Sequence, residues 1–320
     1  MKIGIFTETY KPIINGVVNS ILGFKQGLEE LGHEVYVFCP TYKGYQDDPK
    51  DKNIVHLKSL PLPGKSGYHF VFPVEDQIKE IAKTMDIIHV QHPFVMGDSA
   101  ADTSEEFNIP LVFTNHTQYE QYSHYIPISK EIVQKSIQWY IKKFTKRVDL
   151  IIAPAPGITK VLKRYGIKTP IEVVPNGIDI DRFKKVPPKS EVDKLRTKYN
   201  IKSSDKVLVF TGRIAEEKNL TFLIQSFAKL SAKYSSLPVG SQDIKLIMVG
   251  GGVQIEHFQN LIKELQLEGK AIITDFIPYK EMPNYLALAD LYVTASKSEV
   301  HPLTILEGMA AGLPMVIVKA

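Results

Sequence analysis

Short apolar runs alternate along the whole chain with longer stretches whose apolar residues recur every three or four positions. The first are strand-like and the second helical. In the first half the pattern predicts strands over Lys2–Phe6, Glu34–Phe38, Ile54–Leu57, Ile87–Val90, Leu111–Thr114 and Leu150–Ala153. Between them it predicts helices over Val17–Leu31, Val74–Lys83, Glu131–Lys146 and Ile158–Tyr165. The rhythm then restarts, with strands over Lys206–Thr211, Lys245–Val249, Ala271–Thr274, Leu291–Thr294 and Met315–Val318 and helices over Leu220–Lys233 and Val253–Leu267. Such alternation predicts an α/β protein with parallel sheets covered by helices.

Two series of βα units meet near Asn176-Gly177, a turn signal, and Pro187-Pro188, which breaks regular structure. The expectation is two doubly wound, Rossmann-like domains facing a cleft, residues 1–180 and 181–320. Ligands of such sheets bind beyond the carboxyl ends of the strands, so chemistry is sought in the loops that follow strands.

Composition narrows the class. A hydrophobic content of 44%, a charged content of 23% and a net charge of +4 describe an ordinary globular protein, not a nucleic-acid binder. A single cysteine, Cys39, excludes an intrachain disulfide, fits a reducing cytoplasm and reads as a small buried side chain ending a strand. No apolar run reaches the roughly 18 residues that span a bilayer, so membrane contact is expected to be peripheral.

Two segments carry chemistry. Gly212-Arg213-Ile214-Ala215-Glu216-Glu217-Lys218 follows the first strand of the second domain. Glycine permits a tight turn, and a helix beginning near Lys218 would aim free N–H groups past the strand end. With Arg213 and Lys218 beside it, this is a candidate diphosphate clamp. The structural alternative is a charged loop in which Glu216 and Glu217 pair with the cations. In the second segment, Ser298 to Pro314, Glu299 in a loop and Glu307 one turn into a helix stand eight apart. Two carboxylates so placed can accept hydrogen bonds from two polyols. Alone, Glu307 would be an ordinary helix N-terminal acid and Glu299 a surface acid.

Together these segments resemble the E-x7-E signature and the upstream glycine-Arg-x4-Lys of the retaining GT-B glycosyltransferases of the family 4 type. Val174-Pro175-Asn176-Gly177-Ile178-Asp179 is similar to that family's interdomain link, and Phe6 to Val18 to its N-terminal glycine loop. The resemblance implies that Arg213 and Lys218 bind the donor diphosphate, which Gly16 lets the first domain approach. It implies that Glu307 holds the ribose, Ile277 meets the base, and Glu299 holds the transferred sugar. His116, after the strand Leu111–Thr114, is implied beside the donor sugar; a satisfied core or cap histidine is its structural alternative. Where relatives carry Phe-Gly, this chain has His301-Pro302, so the N–H groups of Leu303 and Thr304 are left to face the sugar or phosphate. The end at Ala320 implies that relatives continue further and that the second domain is incomplete.

Within the family, Gln91-His92-Pro93-Phe94 and Asn115 to Tyr125 look most like bacterial diacylglycerol glucosyltransferases. That implies a hexose moved from a nucleotide sugar such as UDP-glucose to a membrane lipid, without a metal or other cofactor, at the cytoplasmic face of the cell membrane. A soluble sugar or polysaccharide acceptor, or a non-catalytic sugar-nucleotide-binding protein, are the alternatives. Lys130 to Arg147 carries five Lys and one Arg against one Glu. Val133, Ile137, Ile141 and Phe144 form a core-facing stripe, while Trp139 shares a face with Lys142 and Lys143, and Lys146 follows. Such a helix suits an anionic membrane surface, although a solvated basic face has the same composition.

Overall fold

In the computed structural model, which describes residues 1–62, 68–119, 129–235, 243–296 and 299–318, the chain divides into two units, Met1–Gly177 and Ile178–Ala320. The division falls three residues before the expected boundary. Part of the Asn115–Tyr125 segment, from residue 120 on, and Ser298 lie outside the described residues.

Unit 1 is built on β1 (Lys2–Phe6), β2 (Glu34–Pro40), β3 (Ile54–Leu57), a small antiparallel pair β4 (Ser59–Pro61) and β5 (His69–Val71), then β6 (Ile87–Val90), β7 (Leu111–Thr114), β8 (Leu150–Ala153) and β9 (Ile171–Val173). Seven of these form a parallel sheet in the order β3-β2-β1-β6-β7-β8-β9, which reverses at β1 as in a doubly wound fold. Its helices are α1 (Gly16–Glu30), α2 (Asp76–Ala82), α3 (Val95–Phe107), α4 (Lys130–Thr145) and α5 (Pro156–Arg164). The apolar stripe of α1 packs Val18 and Ile21 onto Ile3, Ile5, Val35 and Val37. Asn15 caps that helix by accepting from the Val18 N–H at 2.9 Å. Cys39 is buried in β2, and burial pushes its thiol pKa up.

Unit 2 holds α6 (Ile180–Lys184), α7 (Lys189–Lys198), β10 (Lys206–Thr211), α8 (Leu220–Ser235), β11 (Ile244–Val249), α9 (Ile255–Glu264), β12 (Ala271–Ile273), α10 (Met282–Leu288), β13 (Leu291–Thr294), α11 (Leu303–Ala310) and β14 (Met315–Ile317). Its strands run parallel in the order β12-β11-β10-β13-β14. Alternation along β11 covers both faces: Ile244, Leu246 and Met248 meet α8 and α9, whereas Ile247 and Val249 meet the α7 and α10 side. The carboxyl ends of β10, β11 and β13 therefore emerge from a core filled on both faces.

Candidate functional site

At the end of β10 the chain turns through Gly212 into a 3-10 turn, Glu216–Lys218, and α8 begins only at Leu220. This corrects the expectation of a helix from Lys218: Asn219 is left-handed and donates its side-chain amide to the Ala295 carbonyl at 3.2 Å. Both clamp cations are held by carboxylates. Arg213 donates to Glu217 at 2.5 Å, as the structural alternative foresaw, and Lys218 donates to Glu299 at 2.5 Å. The second contact joins two of the predicted site residues from separate segments.

Glu307 lies on the second turn of α11 and is 1% exposed. Its Oε1 accepts from the Tyr279 hydroxyl at 2.7 Å, and burial raises its pKa above the ordinary carboxylate range despite that bond. The Arg182 guanidinium sits 5.3 Å from the Tyr279 ring centre. Among the described residues, neither Oε2 of Glu299 nor Oε2 of Glu307 has a hydrogen-bond donor, so each carboxylate keeps an oxygen for a ligand hydroxyl. The N–H groups of Leu303 and Thr304 belong to the first turn of α11, where the helix offers no carbonyl partner. Ile277 is half-buried in the loop after β12, packed on the α10 side of the core.

Sequence reasoning passed over three features here. Tyr279 and Arg182 carry no motif of their own. Gly250-Gly251-Gly252, after β11, could have been found as a glycine run ending a strand. A Cβ on Gly250 would lie 2.0 Å from the Gly212 carbonyl oxygen, and one on Gly252 2.1 Å from that of Ile214. Only glycine lets the two loops run side by side, and the Ile214 N–H bonds the Gly251 carbonyl at 2.9 Å.

In unit 1 the loops after β1, β6 and β7 converge. His116 donates Nε2–H to Gln91 Oε1 at 2.7 Å, which leaves its Nδ1 as an acceptor in the neutral ring. His92 Nδ1 accepts the Glu8 N–H at 3.2 Å, and buried His89 bonds Thr114 at 2.7 Å. Burial lowers His89 and His92 to about 4 and His116 to about 3, the last helped by its histidine neighbours. Glu8 accepts the Met96 N–H at the start of α3, yet burial raises its pKa to about 7. The sequence reading gave Glu8 no role, because the helix it caps was not predicted. Gly16 opens α1, where a Cβ would meet nothing within 4 Å. The packing of unit 1 does not require glycine there.

The core-facing stripe of α4 is as expected: Val133, Ile141 and Phe144 are buried and Ile137 half-buried. Tyr140 turns inward, donating to Asp98 at 2.7 Å and stacking on Phe94. Ile132, Lys135, Ser136, Trp139, Lys142, Lys143 and Lys146 are exposed. At about 100° per residue they occupy roughly a third of the helix circumference, centred on Trp139. Lys143 lies 5.6 Å from the Trp139 ring centre. Among the described residues no helix is long and apolar enough to cross a membrane, and no cluster of three His, Cys, Asp or Glu could hold a metal.

Two parallel, doubly wound sheets, with basic and acidic side chains gathered at the strand ends of the second, define a glycosyltransferase of the GT-B class. The chain belongs to glycosyltransferase family 4: that family's model matches residues 14–182, and the glycosyl transferases group 1 model matches 191–320. It is 32% identical to the alpha-monoglucosyldiacylglycerol synthase of Streptococcus pneumoniae over 99% of this chain and 70% of that one. With the enzyme of the same name from Acholeplasma laidlawii it shares 30% identity over 99% of this chain and 80% of the other. Among solved structures, sucrose-phosphate synthase from Thermosynechococcus elongatus has the same fold, with a TM-score of 0.73 at 17% identity, covering 99% of this chain and 80% of that one. The chain is a hexosyltransferase.

Proposed function

We propose that this hexosyltransferase moves glucose from UDP-glucose to diacylglycerol in a membrane, with retention and without a metal. The observation that carries the reading is the arrangement around Glu299 and Glu307. Each carboxylate is oriented through one oxygen by Lys218 or Tyr279 and keeps the other for a hydroxyl. Glu307 would grip the ribose and Glu299 the glucose. Ile277 would meet the base through its backbone. Arg213, Lys218 and the N–H groups of Leu303 and Thr304 would receive the diphosphate. Gly16 would give that diphosphate a bare backbone, and neutral His116 would accept a glucose hydroxyl at Nδ1.

Charge development is what the site must stabilise. The bond from the anomeric carbon to the diphosphate breaks, and its electron pair stays on the phosphate oxygen. The acceptor oxygen bonds the same face of that carbon, and its proton passes to the departing phosphate. Lys218 would exchange its Glu299 partner for this growing anion. The lipid acceptor is supported by the names of the two similar synthases and by the exposed Trp139 and lysines of α4. That would place the protein peripherally on the inner face of the membrane.

The test offers UDP-, GDP- and ADP-glucose with diacylglycerol vesicles, or with soluble sugars, in the presence and absence of a chelator. An α-glucosyl lipid formed from UDP-glucose alone, chelator or not, is the expected product. Transfer to soluble sugars alone would overturn the acceptor, preference for another base the donor, and loss with chelator the metal-free site.

A further inference from the structure

Below the exposed face of α4 lies a cavity of about 520 Å³ that no donor or acceptor role uses. Lys142, Thr145 and Lys146 line it from the last turns of α4, and Gly166, Lys168 and Thr169 from the turn between α5 and β9. No lining residue is acidic. Gly166 has φ +73, and a Cβ there would stand 3.1 Å from Lys142 Nζ, so this glycine leaves the space the ammonium occupies. The carboxylates Asp98, Asp102 and Glu105 of α3 pair with Arg147, which follows Lys146. Among the described residues, Lys142, Lys146 and Lys168 have no ion-pair partner. The carboxyl end of α4 supplies roughly half a negative charge, which three ammonium groups outweigh.

We propose that this cavity binds the phosphate of an anionic phospholipid headgroup and so seats unit 1 on the membrane. The proposal rests on the lipid-acceptor reading above. Three lysines lining one cavity without an acid favour a phosphate. The source is a lipid because the cavity adjoins a helix face exposing Ile132 and Trp139, which a soluble phosphate site would not need.

The experiment measures binding of the full chain to phosphatidylglycerol vesicles and to dihexanoyl-phosphatidylglycerol below its micelle concentration, for wild type, Lys168→Ala and Lys135→Ala. Lys168 and Lys135 are both exposed, but only Lys168 lines the cavity. Saturable binding of the short lipid is expected, weakened about fivefold or more by Lys168→Ala and unchanged by Lys135→Ala. Equal weakening by both variants would mean diffuse charge, overturning the pocket while membrane docking stands. Inorganic phosphate displacing the short lipid at equal concentration would overturn the lipid source. A wild type that ignores the vesicles would remove docking and the pocket together.

Discussion

Lys218 donates to Glu299 over 2.5 Å although 81 residues separate them. The cation proposed for the diphosphate and the carboxylate proposed for the sugar thus neutralise each other at rest. Removing one must change the other. In Glu299→Gln the amide still contacts a hydroxyl but releases Lys218. UDP affinity is expected to hold or rise while turnover of UDP-glucose falls about tenfold or more, the difference between a charged and a neutral hydrogen bond. Calorimetry with UDP and initial rates decide it; UDP affinity that collapses while turnover survives would contradict the roles given.

Glu307→Ala and Arg213→Ala should each weaken nucleotide-sugar binding by about 1–3 kcal/mol, since each removes a charged partner. Tyr279→Phe keeps the ring under Arg182 but deletes the bond that orients Glu307. Its expected signature is weaker UDP binding with little change in 2′-deoxy-UDP binding, because it disturbs the ribose grip proposed for Glu307. Wild-type affinity in all three variants would show that the ribose and diphosphate are held elsewhere.

The glycines separate structure from function. Gly250→Ala puts a Cβ 2.0 Å from the Gly212 carbonyl oxygen, so unit 2 should lose several kcal/mol or fail to fold. Gly16→Ala meets open space at a helix start, and its melting temperature should match wild type or exceed it. If Gly16 has the proposed role toward the diphosphate, its turnover should nevertheless drop. Thermal melts with rate measurements on both variants test the contrast; full activity in Gly16→Ala would remove Gly16 from the site.

The strands were legible because buried parallel strands are short apolar runs with turn residues on either side, and β1, β3, β6, β7, β8, β10 and β13 have the expected bounds. Helix α3 was not legible. Apart from Met96 at its start, its buried face is made of Gly97, Ser99, Ala100, Ala101, Thr103 and Ser104, small residues that let it pack closely but give no apolar period. A Cβ on Gly97 would stand 2.7 Å from the His92 carbonyl oxygen, which explains the composition. The site divided likewise. Glu299, Glu307, Arg213 and Lys218 carried a spacing that sequence displays, whereas Tyr279 and Arg182 reach Glu307 only through the fold. The pairing of Lys218 with Glu299 was equally invisible, since no local pattern links segments so far apart.

Acid should unfold unit 1 early. His89, His92 and His116 titrate near 3 to 4 when folded and near 6.5 when unfolded. Between those values the unfolded chain binds more protons, so stability is present above about pH 6.5 and is lost as pH falls toward 4. Glu8, raised to about 7, opposes this, because the folded state holds its proton over that window. Three histidines against one carboxyl leave a net uptake of about two protons, or about 2.7 kcal/mol per pH unit near pH 5. Urea unfolding at pH 5 and pH 7 checks the slope; equal midpoints would mean the histidines are not held neutral.

Membrane docking brings together the exposed face of α4 and the proposed lipid acceptor. Trp139 is 64% and Ile132 60% exposed, an arrangement without a packing reason in unit 1, and the stripe that faces the core is a different one. Lysines flank both side chains, and each cation near an anionic surface contributes about 1 kcal/mol. Reversing Lys142, Lys143 and Lys146 to Glu turns three attractions into three repulsions, so binding to anionic vesicles should disappear. Trp139→Ala should weaken it without changing its salt dependence, because the indole contributes burial and not charge. Raising ionic strength from about 0.01 M to 1 M shortens the screening length from about 30 Å to 3 Å and should release the wild type. Activity on a nucleotide sugar and water should survive the triple reversal, since none of the three lysines lies at the strand ends. Wild-type protein that stays unbound to anionic vesicles at low salt would rule out α4 as the docking face and favour a soluble acceptor.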